Sequence, residues 1–377
     1  MATVVIAGGG VIGLSIAWRA AQRGFSVTVV DPAPGRGASH AAAGMLTPVS
    51  EAAYAEKELL ALSAASLALY PAFAAELTAA SGQPTGFRPT GTLQVGYDAD
   101  DLAVIDELRV LQESLGVPGQ RLTARECRRL EPMLDPSVRG GLLVEGDGSV
   151  DPRLLTAALQ TAAARAGVRM VARPITQMIQ DPHTERFRGV SLADGTTITA
   201  DWTVLAAGWE SPALAGLPAD CVPPVRPVKG QVVRLRAPDA SFLRRSVRGV
   251  VKGSSVYLVP RENGELVVGA TQEELGPDTR VTAGGLWELL RDARTLVPGI
   301  TELEFTEAVA RLRPGTPDNA PVLGPCPADG LLLATGHFRN GVLLAPVTAD
   351  VITACLETGR MPEAAAHFTI ERFQRRA

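Results

Sequence analysis

The sequence predicts a fold of mixed class, α/β with α+β: a Rossmann-like domain on a parallel sheet, with an antiparallel-sheet domain inserted into it. Three observations carry this. An apolar strand runs straight into a glycine turn, Thr3-Val4-Val5-Ile6-Ala7 into Gly8-Gly9-Gly10-Val11-Ile12-Gly13, as a parallel strand buried on both faces does before a crossover helix. The same order of strand, turn and helix returns at 331–334, 336–340 and 341–358. Between them, over 222–305, short strands separated by turns (232–235, 256–259 and 266–269) replace that pattern, which favours antiparallel pairing. At 377 residues the chain also exceeds one ordinary core, at roughly 150 residues per domain.

In the opening unit each glycine has a task. Gly8 permits the tight turn, Gly10 lets backbone approach a pyrophosphate, and Gly13 lets the helix pack closely on the strand. Val11 and Ile12 begin that helix, whose free N–H groups and positive end suit a diphosphate. The second strand closes on Asp31, eighteen residues beyond Gly13, where a carboxylate accepts ribose hydroxyls and disfavours a 2′-phosphate. The unit predicts a dinucleotide site without choosing between NAD and FAD.

Residues 32–44, through Pro32, Ala38, Ser39, Ala43 and Gly44, are rich in Gly, Ala and Ser. They read either as a surface loop leading to an Ala-rich helix, or as backbone lying against a flat cofactor, with Met45 and Leu46 beside its reactive end. Residues 51–80 read as helix, with a break or new start at Pro71. Residues 92–95 alternate as a strand and 100–115 read as helix. Thr123 and Glu126 form a capping box for a helix through Leu130. Asp151-Pro152 opens a helix to Ala166 that stops at Gly167, and 168–172 follows as another parallel strand. A polar hairpin over 177–199 turns at Asp194-Gly195. Residues 201–208 form an apolar strand ending on Gly208, where backbone can approach a ligand at the sheet's carboxyl edge. One helix, Ala283–Leu296, interrupts the later short strands.

Composition narrows the classes. A net charge of -4 without a basic stripe gives no reason to expect nucleic acid. No signal peptide is apparent, and no apolar run approaches 18 residues, so no transmembrane segment is expected. The four cysteines and four histidines are scattered, which predicts reduced thiols, a cytoplasmic setting and no metal site. No Ser-His-Asp or Cys-His set and no close carboxylate pair stands out, so hydrolase chemistry has no support.

Two further stretches carry chemistry. Gly336-His337-Phe338-Arg339-Asn340-Gly341 lies between a strand and a helix, so it presents a second helix N-terminus to a ligand; if that ligand is a flavin, it faces the edge that gains negative charge on reduction. In Arg311-Leu312-Arg313-Pro314-Gly315-Thr316-Pro317-Asp318, period-two alternation puts Arg311 and Arg313 on one face. Either guanidinium fork matches a carboxylate.

These blocks, with Ala41-Ala42-Ala43-Gly44-Met45-Leu46, Val259-Pro260-Arg261 and Val268-Gly269-Ala270-Thr271, occur in an order that resembles the glycine oxidases of bacterial thiamine biosynthesis, within the D-amino-acid oxidase and sarcosine oxidase superfamily. The resemblance spans nearly the whole chain. It implies FAD, held non-covalently, because the nearest cysteine to Leu-Arg-Pro is Cys326, beyond the motif that tethers flavin in sarcosine oxidases. It implies that Arg313 binds the substrate carboxylate, that Arg339, Tyr257 and Met45 line the substrate site, and that Gln272 stands where glycine oxidases can carry methionine. His337, Phe338, Arg339, Asn340, Gly341, Val342 and Leu343, with Ala43, Gly44 and Met45, would surround the flavin ring, and Ile175 would meet the adenine through its backbone.

The implied reaction is oxidative deamination of glycine or another small amino acid. A hydride passes from the α-carbon to flavin N5, the imine hydrolyses, and O2 is reduced to H2O2, with no side-chain base assigned. A D-amino-acid or sarcosine oxidase or dehydrogenase of the same fold, or a flavoprotein subunit of a larger complex, are the alternatives. The expected division is 1–85, 145–220 and 318–377 for the FAD-binding domain and 86–144 and 221–317 for the substrate domain, in a possible homo-oligomer.

Overall fold

The computed structural model describes residues 1–51, 56–114, 116–117 and 119–374. Two large sheets organise it. The first has six strands, in the order Val322–Pro325, Leu331–Thr335, Trp202–Leu205, Thr3–Ala7, Ser26–Val30 and Arg169–Val171. All neighbours are parallel except Val322–Pro325 against Leu331–Thr335. Strand Thr3–Ala7 has a partner on each side and both faces covered, so Val4 through Ala7 are 1% exposed or less. That environment is what an unbroken apolar run fits. On one face Trp18, Leu155, Leu159 and Ile352, from helices Val11–Gln22, Pro152–Arg165 and Ala345–Thr358, pack with Ile6 and Val29. On the other, Phe187 and Val190 of a small three-stranded sheet pack on Val5 and Leu205.

The second sheet has eight strands: Glu304–Gly315, Arg226–Arg236, Glu265–Gly269, Ser254–Pro260, Ser246–Val251, Thr92–Gly96, Gly140–Val144 and Gln120–Thr123. Its pairs are antiparallel apart from Ser246–Val251 against Thr92–Gly96, which run parallel. Those two strands come from separate excursions of the chain, so no hairpin sets their direction. Every strand of the first sheet lies in 1–85, 145–220 or 318–377, and every strand of the second in 86–144 or 221–317.

Local signals hold where their chemistry is complete. The Thr123 capping box forms, with the Thr123 N–H donating to Glu126 Oε2 at 2.8 Å, and Asp151 caps its helix by accepting the Arg153 N–H at 2.9 Å. Several expectations change. The hairpin expected over 177–199 is a three-stranded antiparallel sheet, Ile175–Gln180, Phe187–Leu192 and Thr197–Thr199, and the strand expected over 201–208 spans Trp202–Leu205. Helix Lys57–Ser81 runs unbroken through Pro71. Proline removes one intrahelical bond, but the residues before it are anchored: Ser66 Oγ donates to the Leu343 carbonyl at 2.6 Å and the Tyr70 hydroxyl to that of Val342 at 2.7 Å. This helix is also long and apolar enough to cross a membrane by length and composition, with a mean hydropathy of 1.5 over 18 residues; its many alanines count as apolar in such an average. The helix expected over 341–358 begins only at Ala345. Phe338 at φ 48° turns the chain before it, and Pro346 fits the first helical turn, where a missing N–H is harmless. Residues 52–55 and 115, where helix was also expected, lie outside the described residues.

Candidate active site

The carboxyl ends of the Thr3–Ala7, Ser26–Val30, Trp202–Leu205 and Leu331–Thr335 strands open into a long cavity of about 990 Å³, at the upper end of cofactor sites. One end is built by the glycine turn. Gly8 sits at φ +113°, and a Cβ there would collide with the Ala206 carbonyl; one on Gly13 would collide with Gly8. The helix that follows has no acid in its first turn. The Val11 N–H donates to Ser39 Oγ at 3.0 Å, while the Ile12 and Gly13 amides have no acceptor among the described residues. Asp31 braces the turn by accepting the Gly9 N–H through Oδ2 and the Ala33 N–H through Oδ1, each at 2.7 Å. Each oxygen retains a further lone pair toward the cavity. Ile175, between Pro174 and Thr176, and Glu210 line the same end. Burial, aided by the charge of Asp31, raises the Glu210 carboxyl above the usual range.

At the other end, Arg261 of the Val-Pro-Arg block is buried and structural. It donates through Nη2 to the Ala43 carbonyl at 2.5 Å and through Nη1 to that of Val150 at 2.8 Å, which pins the 43–45 segment to the wall. Gly44 at φ +69° leaves no room for a side chain against Val150. His337 is buried with Nε2 3.0 Å from Thr348 Oγ1, and burial pushes its pKa down to about 3, so the ring is neutral. Beyond it, the Gly341, Val342 and Leu343 amides have no acceptor among the described residues.

Two arginines of this wall differ in their partners. Arg339 pairs with Glu56 at 2.7 Å and Glu51 at 3.4 Å, and Glu51 also pairs with Arg248. Arg313 has no acidic partner among the described residues; its Nη1 donates to the Thr271 carbonyl at 3.1 Å and the Lys229 carbonyl at 3.4 Å. Its guanidinium lies over Gly230, where a Cβ would collide with it. Tyr257 lies across Gly269, its hydroxyl pushed above the usual range by burial and drawn back by the Arg313 charge. Gln272 and Ser255 are exposed at the mouth.

The structure brings nearly all the expected residues onto this one wall: Gly8, Gly10, Val11, Ile12, Asp31, Pro32, Ala38, Ser39, Ala43, Gly44, Met45, Ile175, Gly208, Tyr257, Gln272, Arg313, His337, Phe338, Arg339, Gly341 and Val342. Gly13, Asn340 and Leu343 are not on it. Gly13 faces Gly8, Asn340 lies beside Pro48 and Glu56 in a separate small cavity, and Leu343 joins the core. Sequence reasoning missed Glu51, Arg248, Glu210 and Arg36, which also line the cavity. Arg248 had a signal, the alternation of 246–251, obscured by Gly249.

These residues fit a flavin dinucleotide. Side-chain-free cradles at Gly8 and Gly44 and unpartnered amides at both ends suit a long, flat anion. The comparisons agree. The chain belongs to the FAD dependent oxidoreductase family, whose model matches residues 3–355. It is 34% identical to glycine oxidase of Geobacillus kaustophilus, over 98% of this chain and 96% of that one. The crystal structure of glycine oxidase from Geobacillus kaustophilus superposes with a TM-score of 0.88, covering 98% of this chain and 99% of that one at 34% identity. The bifunctional protein ThiO/ThiG of Synechocystis sp. is 35% identical over 98% of this chain, which spans only 54% of that protein.

Proposed function

We propose that this protein is an FAD-dependent oxidase of glycine or another small amino acid, and that it supplies thiamine biosynthesis. The observation that carries the reading is the Arg313 guanidinium, which lines the cavity with carbonyl partners and, among the described residues, no carboxylate. A buried or half-buried arginine is ordinarily matched by an anion, and a substrate carboxylate supplies it.

Gly10 and Ile12 would hold the diphosphate at the helix N-terminus, beside the Ser39 hydroxyl that engages the Val11 N–H, with Asp31 at the ribose and the 337–343 turn at the flavin ring. FAD, when bound, supplies the two-electron acceptor for oxidation of the substrate C–N bond, with dioxygen as final oxidant and hydrogen peroxide as product. Arg313 fixes the carboxylate, and Tyr257 and Met45 bound the space left for the α-carbon and amine. Glu51 is engaged by two arginines and His337 by Thr348, and no side-chain base is assigned. The amine enters neutral, and the protein's part is orientation. None of the four cysteines lines the cavity, which supports non-covalent FAD, and their free thiols support a cytoplasmic setting. The strand distribution supports the division into 1–85, 145–220 and 318–377 for FAD and 86–144 and 221–317 for substrate; a homo-oligomer is part of the reading.

The test is peroxide formation by the purified yellow protein with glycine, sarcosine and small D-amino acids. Arg313→Ala should lower kcat/KM by about 100-fold, as loss of one partner of a charge-assisted pair does. Unchanged kinetics in that variant refutes the carboxylate assignment. Reduction by the amine without reoxidation in air makes the protein a dehydrogenase instead.

A further inference from the structure

Behind Arg313 lies a polar cluster that the reading above does not use. Lys229 is fully buried, its Nζ 3.1 Å from Asp278 and 3.4 Å from Glu273. Gln231, also fully buried, donates through Nε2 to Glu273 Oε1 at 2.8 Å and to Thr282 Oγ1 at 3.0 Å, and accepts the Thr282 N–H at 2.8 Å. Thr282 is the N-cap of helix Ala283–Leu296. Thr271 Oγ1 donates to Glu273 Oε1 at 2.5 Å and accepts the Gln231 N–H at 2.9 Å. Lys229 and Glu273 also exchange two main-chain bonds, of 2.8 and 3.0 Å.

The Glu273 carboxylate thus gathers the side chains of Thr271, Gln231 and Lys229. Two of these residues, Lys229 and Thr271, are the ones whose carbonyls receive Arg313. The cluster is charge-balanced, Lys229 and Arg280 against Glu273 and Asp278, and Glu273→Gln, which removes the charge but keeps an acceptor for Thr271 and Gln231, separates the aiming role from the ion pair. We propose that Glu273 is a positioning residue for Arg313, holding the Lys229 and Thr271 carbonyls at the spacing that points the guanidinium at a substrate carboxylate. The inference rests on Arg313 receiving that carboxylate. A long, flexible arginine stem loses affinity when its head is not preset, and the clamp presets it from the neighbouring strand and from the helix cap tied to Gln231. Gln272, between Thr271 and Glu273, is held at the mouth by the same device.

The experiment is a double-mutant cycle on the FAD-loaded protein. The probe is acetate, which carries a carboxylate without an amine, and its dissociation constant is read from the change in flavin absorbance. Glu273→Ala should weaken acetate about tenfold and raise KM for the amine substrate equally, with kcat within about twofold. Glu273→Gln, which still accepts from Thr271 and Gln231, should restore most of the affinity. In an Arg313→Ala background, Glu273→Ala should add no further loss. Full additivity in the double variant overturns the proposal, as does wild-type acetate affinity in Glu273→Ala. If Arg313→Ala itself binds acetate like the wild type, the carboxylate assignment falls and the proposal with it. Should Glu273→Ala not fold, Thr271→Val takes its place in the cycle with the same expectations.

Discussion

Arg313 and Arg339 are the same residue type on one wall, and only their partners set them apart. Arg339 pairs with Glu51 and Glu56, so Arg339→Ala leaves Glu56 without its arginine and Glu51 with Arg248 alone, and should lower Tm more than it weakens acetate binding. Arg313→Ala should do the reverse, and measuring both quantities on both variants checks the contrast. Asp147 offers a second prediction. Burial, opposed by the hydrogen bond from Ser50, raises its carboxyl to about 7. In the unfolded chain it ionises near 4, so between about pH 4 and 7 the folded state binds the extra proton and loses stability as pH rises. Asp147→Asn should therefore raise Tm at pH 8 by an amount that vanishes near pH 4, and equal Tm differences at both pH values refute it. The glycines of the first turn were legible in the sequence because each needs its own backbone freedom at its own position, whereas alternation left Arg313 level with Arg311 and only the family resemblance singled it out. Glu51 and Arg248 were not, because an ion pair between residues almost two hundred positions apart leaves no local pattern.

Elements were legible where a local rule sufficed. The apolar strand Thr3–Ala7 formed as a central strand, and Thr123 and Asp151 capped their helices as spaced. The failures are tertiary. Helix Lys57–Ser81 survives Pro71 because Ser66 and Tyr70 tie it to the 342–343 carbonyls, a contact across more than 270 residues. That tie makes the helix a brace for the proposed flavin turn. Tyr70→Phe leaves the Val342 carbonyl without its donor, so it should destabilise the protein by about 1–3 kcal/mol and also weaken FAD binding. A Tm loss with unaltered FAD affinity would show that the helix supports the core but not the turn. The start of the last helix was misread for a similar reason, since the left-handed Phe338 and its burial are imposed by the surrounding core.

At the scale of the molecule, the cavity is walled by both sheets, so FAD should act as a structural member. Stripping it should lower Tm, and a hundredfold excess over its dissociation constant should return about 2.7 kcal/mol; an apoprotein as stable as the FAD-loaded form would contradict this. The interleaved strands explain why the two-domain pattern was readable while strand 246–251 and its parallel pairing were not: composition marks a domain, but partners are set by distant chain. The two glycine turns that face the cavity, ending at Gly13 and beginning at Gly336, are separated by more than three hundred residues. At about 5–20 residues per second of synthesis, a nascent chain carries half a nucleotide cradle for roughly 15 to 65 seconds before the other half exists. A complete cradle thus exists only once the second turn has been synthesised, and the first unit waits through that interval without its counterpart.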